Sequence, residues 1–371
     1  MFRAALTVTG LLALIWLPGS AVDQGEAPVY LGRIDAAYEQ PSSIGRALST
    51  IEIFNNHLYA GYGDYTADTG PIEVVPVDLA TGTIGESLLS HATEAIYIYR
   101  KVGDEIFAPD IDPRRTRIAG FSRGVAGTPV DRWTDEKVVR ALHIFDVATF
   151  DGADLWLFGS QGSRAMAWRS TDGGTTWTTA LSVDARAEGR FARLYSAFTL
   201  DGRLYAHVSE YPGGMHSTSM VFDGAGWTTG PRLIPAFVTF DDIFPWKALR
   251  VGDKAFYMDA HSGTTNVVAR VYQFDGERAS LTFGPTDQHE TRNPQDAVLD
   301  ITVSDDTAYV LNRLQQVWSS TDLANWTLRV TFEVESGQSA TCIAVTGNDL
   351  YVGTNMSGIY RVTMPPLDPA S

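Results

Sequence analysis

Cysteine is almost absent from this chain of 371 residues, in which Cys342 stands alone. A single cysteine excludes an intramolecular disulfide, and the apolar run around Cys342 favours a small buried side chain. Basic residues are also scarce: 28 lysines and arginines stand against 44 aspartates and glutamates, for a formal net charge of −16. Because such a surface repels phosphate groups and no basic stripe is present, nucleic acids and anionic membranes are not expected as partners.

Three common signatures of catalysis are missing as well. The sequence has no phosphate-cradling glycine loop, no Cys/His set with zinc spacing and no G-x-S-x-G elbow. These absences argue against nucleotide, zinc and hydrolase-elbow chemistry. We therefore expect no cofactor.

Long apolar runs are confined to the N-terminus. Residues 4–17 are apolar, follow the basic Arg3 and precede the small residues Gly19-Ser20-Ala21, which is the pattern of a secretory signal peptide. The run is shorter than the roughly 20 residues that cross a bilayer. We predict a signal peptide over residues 1–21 and a secreted or periplasmic mature chain, residues 22–371, without a membrane span. An uncleaved N-terminal anchor is the alternative.

One short pattern recurs along the rest of the chain at intervals of roughly 50 residues. In each copy a polar turn such as Asn55-Asn56 or Asp201-Gly202 is followed by a strand with a central aromatic residue. The seven aromatic residues are Tyr59, Phe107, Trp156, Tyr205, Phe256, Tyr309 and Tyr351. Short strands repeating at this period predict an all-β fold, a seven-bladed β-propeller.

The last repeat is incomplete. After Gly358 to Val362 the chain ends in a proline-containing tail that leaves no room for a fourth strand. Near the N-terminus, Val29 to Ile34 reads as a strand without a unit of its own. Since an unpaired edge is unfavourable, we predict that this early strand completes the last blade and that residues 22–371 form one domain.

Residues 170–177, Ser-Thr-Asp-Gly-Gly-Thr-Thr-Trp, match the pattern S-x-D-x-G-x-T-W, and a degenerate copy begins at Ser320. This sequence resembles the Asp-box (BNR-repeat, sialidase-like) propellers, which include carbohydrate-active proteins. In that group the motif is structural, so the resemblance implies a turn-stabilising role for Asp172 and Asp322. The chain departs from true sialidases, which resemble six-bladed rings, because it has seven units and lacks their F/Y-R-I-P motif around Arg33.

The repeat register also predicts where a site would lie. In a propeller the starts of the inner strands and the ends of the second strands meet at one mouth of the central channel. Aligned on the repeated aromatics, these positions are mostly polar or ionisable, which predicts two polar rings on one face. Crowded carboxylates and imidazoles shift each other's pKa values, as acid–base catalysis requires. The alternative is a wet channel mouth whose polar groups only meet solvent and backbone.

The candidates at these positions fall into two groups. Those predicted to be catalytic are Glu94, His143 and Asp296, and those predicted to bind substrate are Arg46, Asp64, Tyr65, Asp110, Asp112, His207, Trp246, His261 and Arg313. His143 stands between apolar neighbours and reads equally well as a core histidine. The pairs Asp110/Asp112 and Asp259/His261 have spacings that would suit part of a structural calcium site, although solvated loops are the simpler interpretation.

These features lead to two hypotheses about function. In the first, an exported propeller recognises a carbohydrate or surface glycan and cleaves it. Carboxylates such as Glu94, Asp110 or Asp296 would serve a glycoside hydrolase, whereas His143 with Tyr65, and Arg46 on a substrate carboxylate, would suit a polysaccharide lyase. In the second, the propeller is a non-catalytic scaffold that binds a protein or a glycan.

Overall fold

The computed structural model describes residues 27–113, 117–185, 189–211, 218–235, 243–261, 270–284 and 297–366. Antiparallel sheets form seven blades arranged in a ring, which confirms the seven-bladed β-propeller. Blades 2 to 6 follow the chain in order, each running from an inner strand at the channel to an outer strand at the rim.

Each of blades 2 to 6 contains four consecutive strands, which follow one another from the channel outward. Blade 2 contains Arg100–Val102, Glu105–Pro109, Ile118–Val125 and Arg132–Arg140; blade 3 contains His143–Ala148, Leu155–Gln161, Arg164–Ser170 and Thr178–Asp184. Blade 4 contains Phe191–Leu200, Arg203–Tyr211, Thr218–Phe222 and Trp227–Thr229; blade 5 contains Ile243–Val251, Lys254–His261, Val271–Phe274 and Ala279–Phe283; blade 6 contains Val298–Ser304, Thr307–Asn312, Gln316–Ser320 and Thr327–Thr331.

Blade 7 is assembled from both ends of the chain. Its first three strands are Ala340–Thr346, Asp349–Thr354 and Gly358–Thr363, and its outer strand is Val29–Arg33. The pairing is antiparallel, with Val29 opposite Arg361, and the rings of Tyr30 and Tyr360 lie 5.0 Å apart. The predicted closure by the early strand is therefore confirmed.

Blade 1 is the least regular. Thr50–Phe54, His57–Gly61 and Pro76–Asp78 form its sheet, while Ile72–Val74 pairs separately with Leu89–His91. Two single-turn helices, Asp35–Tyr38 and Ser43–Arg46, lead into this blade, and the 3-10 turn Tyr65–Ala67 follows its second strand. Among the helices of the described ranges, none is long and apolar enough to span a bilayer.

The seven repeated aromatics are the centre of the core. Each lies on the second strand of its blade and is at most 3% exposed. The Ser170–Trp177 turn is local by comparison: the Asp172 carboxylate accepts hydrogen bonds from the Thr176 amide (2.8 Å) and the Ser170 hydroxyl (2.8 Å). Trp177 from this turn packs edge-on against Phe121 of blade 2, at 6.1 Å between ring centroids, and so ties two blades together.

In five blades the inner strand has a register shift where it pairs with the second strand. In blades 3, 4 and 5 it falls between Ile144 and Asp146, between Leu194 and Ala197, and between Trp246 and Leu249. Such bulges re-aim side chains. One consequence is that the buried Asp146 carboxylate accepts two hydrogen bonds from Arg100 of blade 2 (2.7 and 2.9 Å) and one from the Ala197 amide of blade 4.

Candidate functional site

A cavity of about 270 Å³ opens at the mouth where the inner strands begin and the second strands end. Its lining comes from blades 1 to 5: Ser49, Tyr65, Tyr97, Ile111, Asp112, His143, Phe145, Arg193, Tyr195, Phe244 and Trp246. Further along the same inner strands, Arg100 Nη1 donates to the Ala248 carbonyl at 2.5 Å and so crosses the channel from blade 2 to blade 5.

A histidine next to a carboxylate lines the pocket. His143 begins the inner strand of blade 3, is 6% exposed and has its Nδ1 2.7 Å from Oδ1 of Asp112. Asp112 follows the second strand of blade 2 with a φ of 52°, a left-handed conformation that aspartate tolerates better than most residues. A carboxylate facing Nδ1 favours the tautomer with the proton on that nitrogen and Nε2 as the basic atom. Both ring nitrogens are enclosed by the protein.

One wall of the pocket is a continuous row of aromatic rings from blades 3 to 5. The ring of His143 stacks on Phe145 at 5.1 Å, and Phe145 lies 4.4 Å from Tyr195. Tyr195 stacks on Phe244 at 3.9 Å with an interplanar angle of 11°, and Trp246 meets Phe244 edge-on at 6.1 Å. A wall of this kind offers flat apolar area to a ring-shaped ligand.

The cation of the pocket is Arg193. Its guanidinium lies over the rings of Phe145 (5.7 Å) and Phe191 (5.1 Å), and its Nη1 donates to the Tyr195 hydroxyl at 3.1 Å. Within the part of the chain that the structure describes, no carboxylate lies within ion-pair distance of Arg193. The guanidinium is thus placed to receive an anionic group of a ligand.

Tyr65 faces the cavity from the blade 1 side. It follows Asp64, whose buried carboxylate accepts from the Ser42 hydroxyl (2.6 Å) and the Thr66 amide (3.0 Å) and so fixes the turn. Tyr65 packs edge-on against Tyr97 at 6.1 Å. Partial burial raises the pKa of Tyr65, so the phenol keeps its proton.

A cluster of charges lies behind Asp112, and we call it the blade 2 charge cluster: His91, Asp110, Asp135 and Lys137. Ligand atoms of the histidine and the two aspartates lie within 4.8 Å of one another, a spacing that would suit a metal ion. Lys137 Nζ, however, lies 2.8 Å from oxygens of both aspartates. The ammonium group supplies the positive charge at this point.

Four of the residues singled out from the sequence line the pocket: His143, Asp112, Tyr65 and Trp246. Asp64 and Asp110 stand behind it as described above. Glu94 is half-buried, and its amide donates to the Ile111 carbonyl, but its side chain is outside the lining. Arg46 ends a helix next to blade 7, and Arg313 is exposed on blade 6.

His207 is fully buried on the second strand of blade 4, away from the lining. Its ring nitrogens have no hydrogen-bond partner among the described residues, and burial lowers the pKa of the imidazole to about 3. His261 ends the second strand of blade 5, and its side chain lies outside the described residues, as does the whole of Asp296. Of the predicted trio, His143 lines the pocket and Glu94 does not, while Asp296 lies outside the described residues.

Comparisons with known proteins bear on the fold. Neither a protein-family model nor a curated protein matches the sequence, so membership of the Asp-box group stays a prediction. Among solved structures, a catalytically inactive virginiamycin B lyase from Staphylococcus aureus with quinupristin aligns at a TM-score of 0.56 and 10% identity, over 91% of this chain and 98% of that one.

The β-propeller domain of the Trilobed protease from Pyrococcus furiosus, described as having an open velcro topology, aligns at a TM-score of 0.51 and 9% identity, over 87% of this chain and 95% of the other. At these identities the likeness defines the fold alone. This chain is a seven-bladed β-propeller whose structural neighbours differ in function.

Proposed function

We propose that this propeller binds a saccharide bearing a carboxylate, such as a uronic acid unit, in the mouth pocket and cleaves it by β-elimination. The observation that carries this proposal is the convergence of His143, Asp112, Arg193 and Tyr65 on one aromatic-walled pocket. The volume of about 270 Å³ is small for a ligand site and suits one ring of a longer chain.

Each step of the elimination has a group of suitable chemistry in the lining. Arg193 neutralises the substrate carboxylate, which makes the hydrogen on the neighbouring carbon more acidic. The ring of His143 turns to bring its buried Nε2 into the cavity. Nε2 then removes that proton, the electron pair forms a carbon–carbon double bond, and the β carbon–oxygen bond breaks. The leaving oxygen takes a proton from Tyr65. The reaction consumes no water and gives one unsaturated end.

Hydrolysis finds less support in the pocket. Glycoside hydrolases of the usual kind place two carboxyl groups on either side of the scissile bond, at roughly 5–9.5 Å from each other. Among the described lining residues, Asp112 is the only carboxylate, and it faces the imidazole of His143. The single carboxylate beside a histidine favours elimination over hydrolysis.

The test is a product screen of the chain against uronate-containing and neutral polysaccharides, analysed by mass spectrometry. Elimination gives a fragment lighter by one water than the hydrolysis product. We expect unsaturated fragments from a uronate polymer, with a loss of about 100-fold or more in His143→Asn. The matched control for Arg193→Gln is Arg203→Gln. Arg203 is exposed and lies in the same blade, at the end away from the pocket.

The outcomes separate the hypotheses. Saturated fragments would replace elimination by hydrolysis. Retention of a glycan without any product, in both the native chain and His143→Asn, would favour the non-catalytic binding scaffold. Activity retained in both His143→Asn and Arg193→Gln would remove the reaction from this pocket.

A further inference from the structure

The blade 2 charge cluster includes Asp110, two residues before the pocket residue Asp112, and extends to the surface at Asp135 and Lys137. His91 and Asp110 have no exposed side-chain surface; His91 Nε2 lies 3.0 Å from Asp110 Oδ1, and its Nδ1 lies 3.3 Å from Asp135 Oδ1. Lys137 Nζ contacts both oxygens of Asp110 at 2.8 Å and Asp135 at 2.8 Å. Four ionisable groups from three segments therefore meet in one place.

The charges of the cluster balance only with His91 protonated. Two carboxylates and one ammonium leave a net negative charge around the buried His91 and Asp110, which a second cation would neutralise. The neighbouring strand brings no further charge into the cluster. Ile72–Val74 pairs with Leu89–His91, and its one charged residue, Glu73, accepts a hydrogen bond from the Ser87 hydroxyl. Burial opposes protonation of His91, but the two aspartates outweigh it and raise the pKa of the imidazole.

The blade 2 charge cluster is hydrogen-bonded, through Asp110, to the backbone around Asp112. Asp110 Oδ2 accepts from the Gly120 amide at 2.6 Å, while the Asp110 carbonyl accepts from the Ile144 amide at 2.8 Å. At the next residue, the Ile111 amide donates to the Thr93 hydroxyl (2.9 Å), and the same hydroxyl donates to the Ile111 carbonyl (2.7 Å). The short segment from Asp110 to Asp112 is thereby fixed between blade 1 and the inner strand of blade 3.

We propose that the blade 2 charge cluster is a positioning device for the pocket: by fixing Asp110, it sets the Asp112 carboxylate against His143 and selects the tautomer of that histidine. The proposal assigns His91, Asp135 and Lys137 roles that act through Asp112. Its kinetic consequence depends on the proposed elimination, whereas its structural consequence does not.

The test reads the tautomer of His143 directly, from imidazole ¹⁵N chemical shifts of the full chain. Seven histidines make the spectrum tractable, and His143→Asn assigns the signal. In the native chain we expect the proton on Nδ1. In Lys137→Met the segment loosens, and the signal shifts towards the mixture of tautomers of a solvent-exposed histidine.

Two further variants keep the result decisive. Lys101→Met is the matched control, because Lys101 is also in blade 2 but pairs with Glu52 at the surface. The His143 signal of this variant is expected to match that of the native chain. Asp135→Asn keeps the cluster neutral with His91 unprotonated, so it tests the same idea should Lys137→Met fail to fold. An unchanged His143 signal in folded Asp135→Asn, despite a lower melting temperature, would reduce the cluster to a structural role.

Kinetics supply the second readout. With an active chain, Asp135→Asn is expected to lower kcat about tenfold and to leave KM within about twofold, since the base is misaligned but Arg193 and the aromatic wall are intact. A change in KM alone would contradict positioning of the base. If no elimination occurs in any variant, the proposed function fails, while the ¹⁵N spectra still decide whether the cluster positions Asp112.

Discussion

Lys247 of blade 5 and Asp300 of blade 6 form a buried ion pair, with Nζ 2.7 and 2.9 Å from the two carboxylate oxygens and each side chain 5% exposed. Asp300 Oδ2 also accepts from the Ile343 amide of blade 7 at 2.9 Å. One carboxylate thus joins three consecutive blades. Burial raises the pKa of Asp300, and the lysine opposes that rise.

Lys247→Met is expected to destabilise the fold strongly, because it leaves a buried carboxylate without its counter-ion. The cost is about 3–5 kcal/mol in the free energy of unfolding, measured by urea titration at neutral pH. Lys101→Met, which breaks a surface pair, is the control and should cost no more than about 1 kcal/mol. Equal effects of the two substitutions would contradict this account.

His207→Leu is expected to reduce the fall in the free energy of unfolding that acid causes. The folded state takes up a proton on His207 only near pH 3, whereas the unfolded chain does so near 6.5. Between these values the unfolded state binds more protons, so stability present above pH 6.5 is lost as the pH falls. The native chain should lose about 2 kcal/mol through this residue by about pH 5. Urea unfolding at two pH values checks this, and an identical loss in the variant would refute it.

Asp112→Asn tests the pairing at the centre of the pocket. An amide can accept a hydrogen bond, but it lacks the charge that stabilises a protonated imidazole and holds one tautomer. We expect kcat for elimination to fall roughly 10²–10⁴-fold with little change in KM. Steady-state kinetics on the uronate substrate measures both. A fall in binding with unchanged kcat would indicate that Asp112 contacts the ligand instead.

Arg193→Gln probes the binding of the carboxylate. Loss of a charged hydrogen bond costs about 1.5–3 kcal/mol, so Kd for a uronate oligomer should rise roughly tenfold to a hundredfold. Binding of the methyl-esterified oligomer, which lacks the negative charge, should change much less. Calorimetric titration with the two ligands gives the comparison, and equal losses for both would argue that the arginine acts only through packing.

Truncation tests the closure of the ring. A chain that starts at Ala27 keeps the outer strand of blade 7, whereas one that starts at Ile34 removes Val29–Arg33 and exposes the edge of Gly358–Thr363. We expect a lower melting temperature and concentration-dependent association only for the shorter chain. Matching melting curves would show that the strand adds no stability.

The blade count and the closure followed from the sequence because they depend on local features. A buried aromatic in each second strand, at most 3% exposed, repeats whatever the neighbouring loops contain. The short last unit and the spare strand at Val29 then allow one pairing that leaves no open edge. The blade count and the closure can therefore be predicted without knowledge of any tertiary contact.

The lining of the pocket was less accessible to sequence analysis. Alignment on the repeated aromatics selected neither Arg193 nor Tyr195 of blade 4, although both line the cavity. The bulge between Leu194 and Ala197 breaks the alternation of faces on which such counting relies. A cluster of aromatics near the start of several inner strands, including Phe244, was the signal that could have revealed this wall.

Asp110 and Asp112 show the same limit over two residues. In a strand, residues two apart share a face, so the pair looked like one polar unit. The φ of 52° at Asp112 turns the chain, which sends one carboxylate into the blade 2 charge cluster and the other to His143. A single backbone angle therefore separates a supporting residue from a pocket residue.

The pairing of Val29–Arg33 with Gly358–Thr363 also sets an order of events during synthesis. The strand Val29–Arg33 is synthesised long before its partner, Gly358–Thr363, which lies more than 300 residues further along the chain. Contacts across such a separation form late, because the chain between them must already be compact. Blades 2 to 6 can assemble one after another as they emerge, but the ring closes only after Gly358–Thr363 has been made.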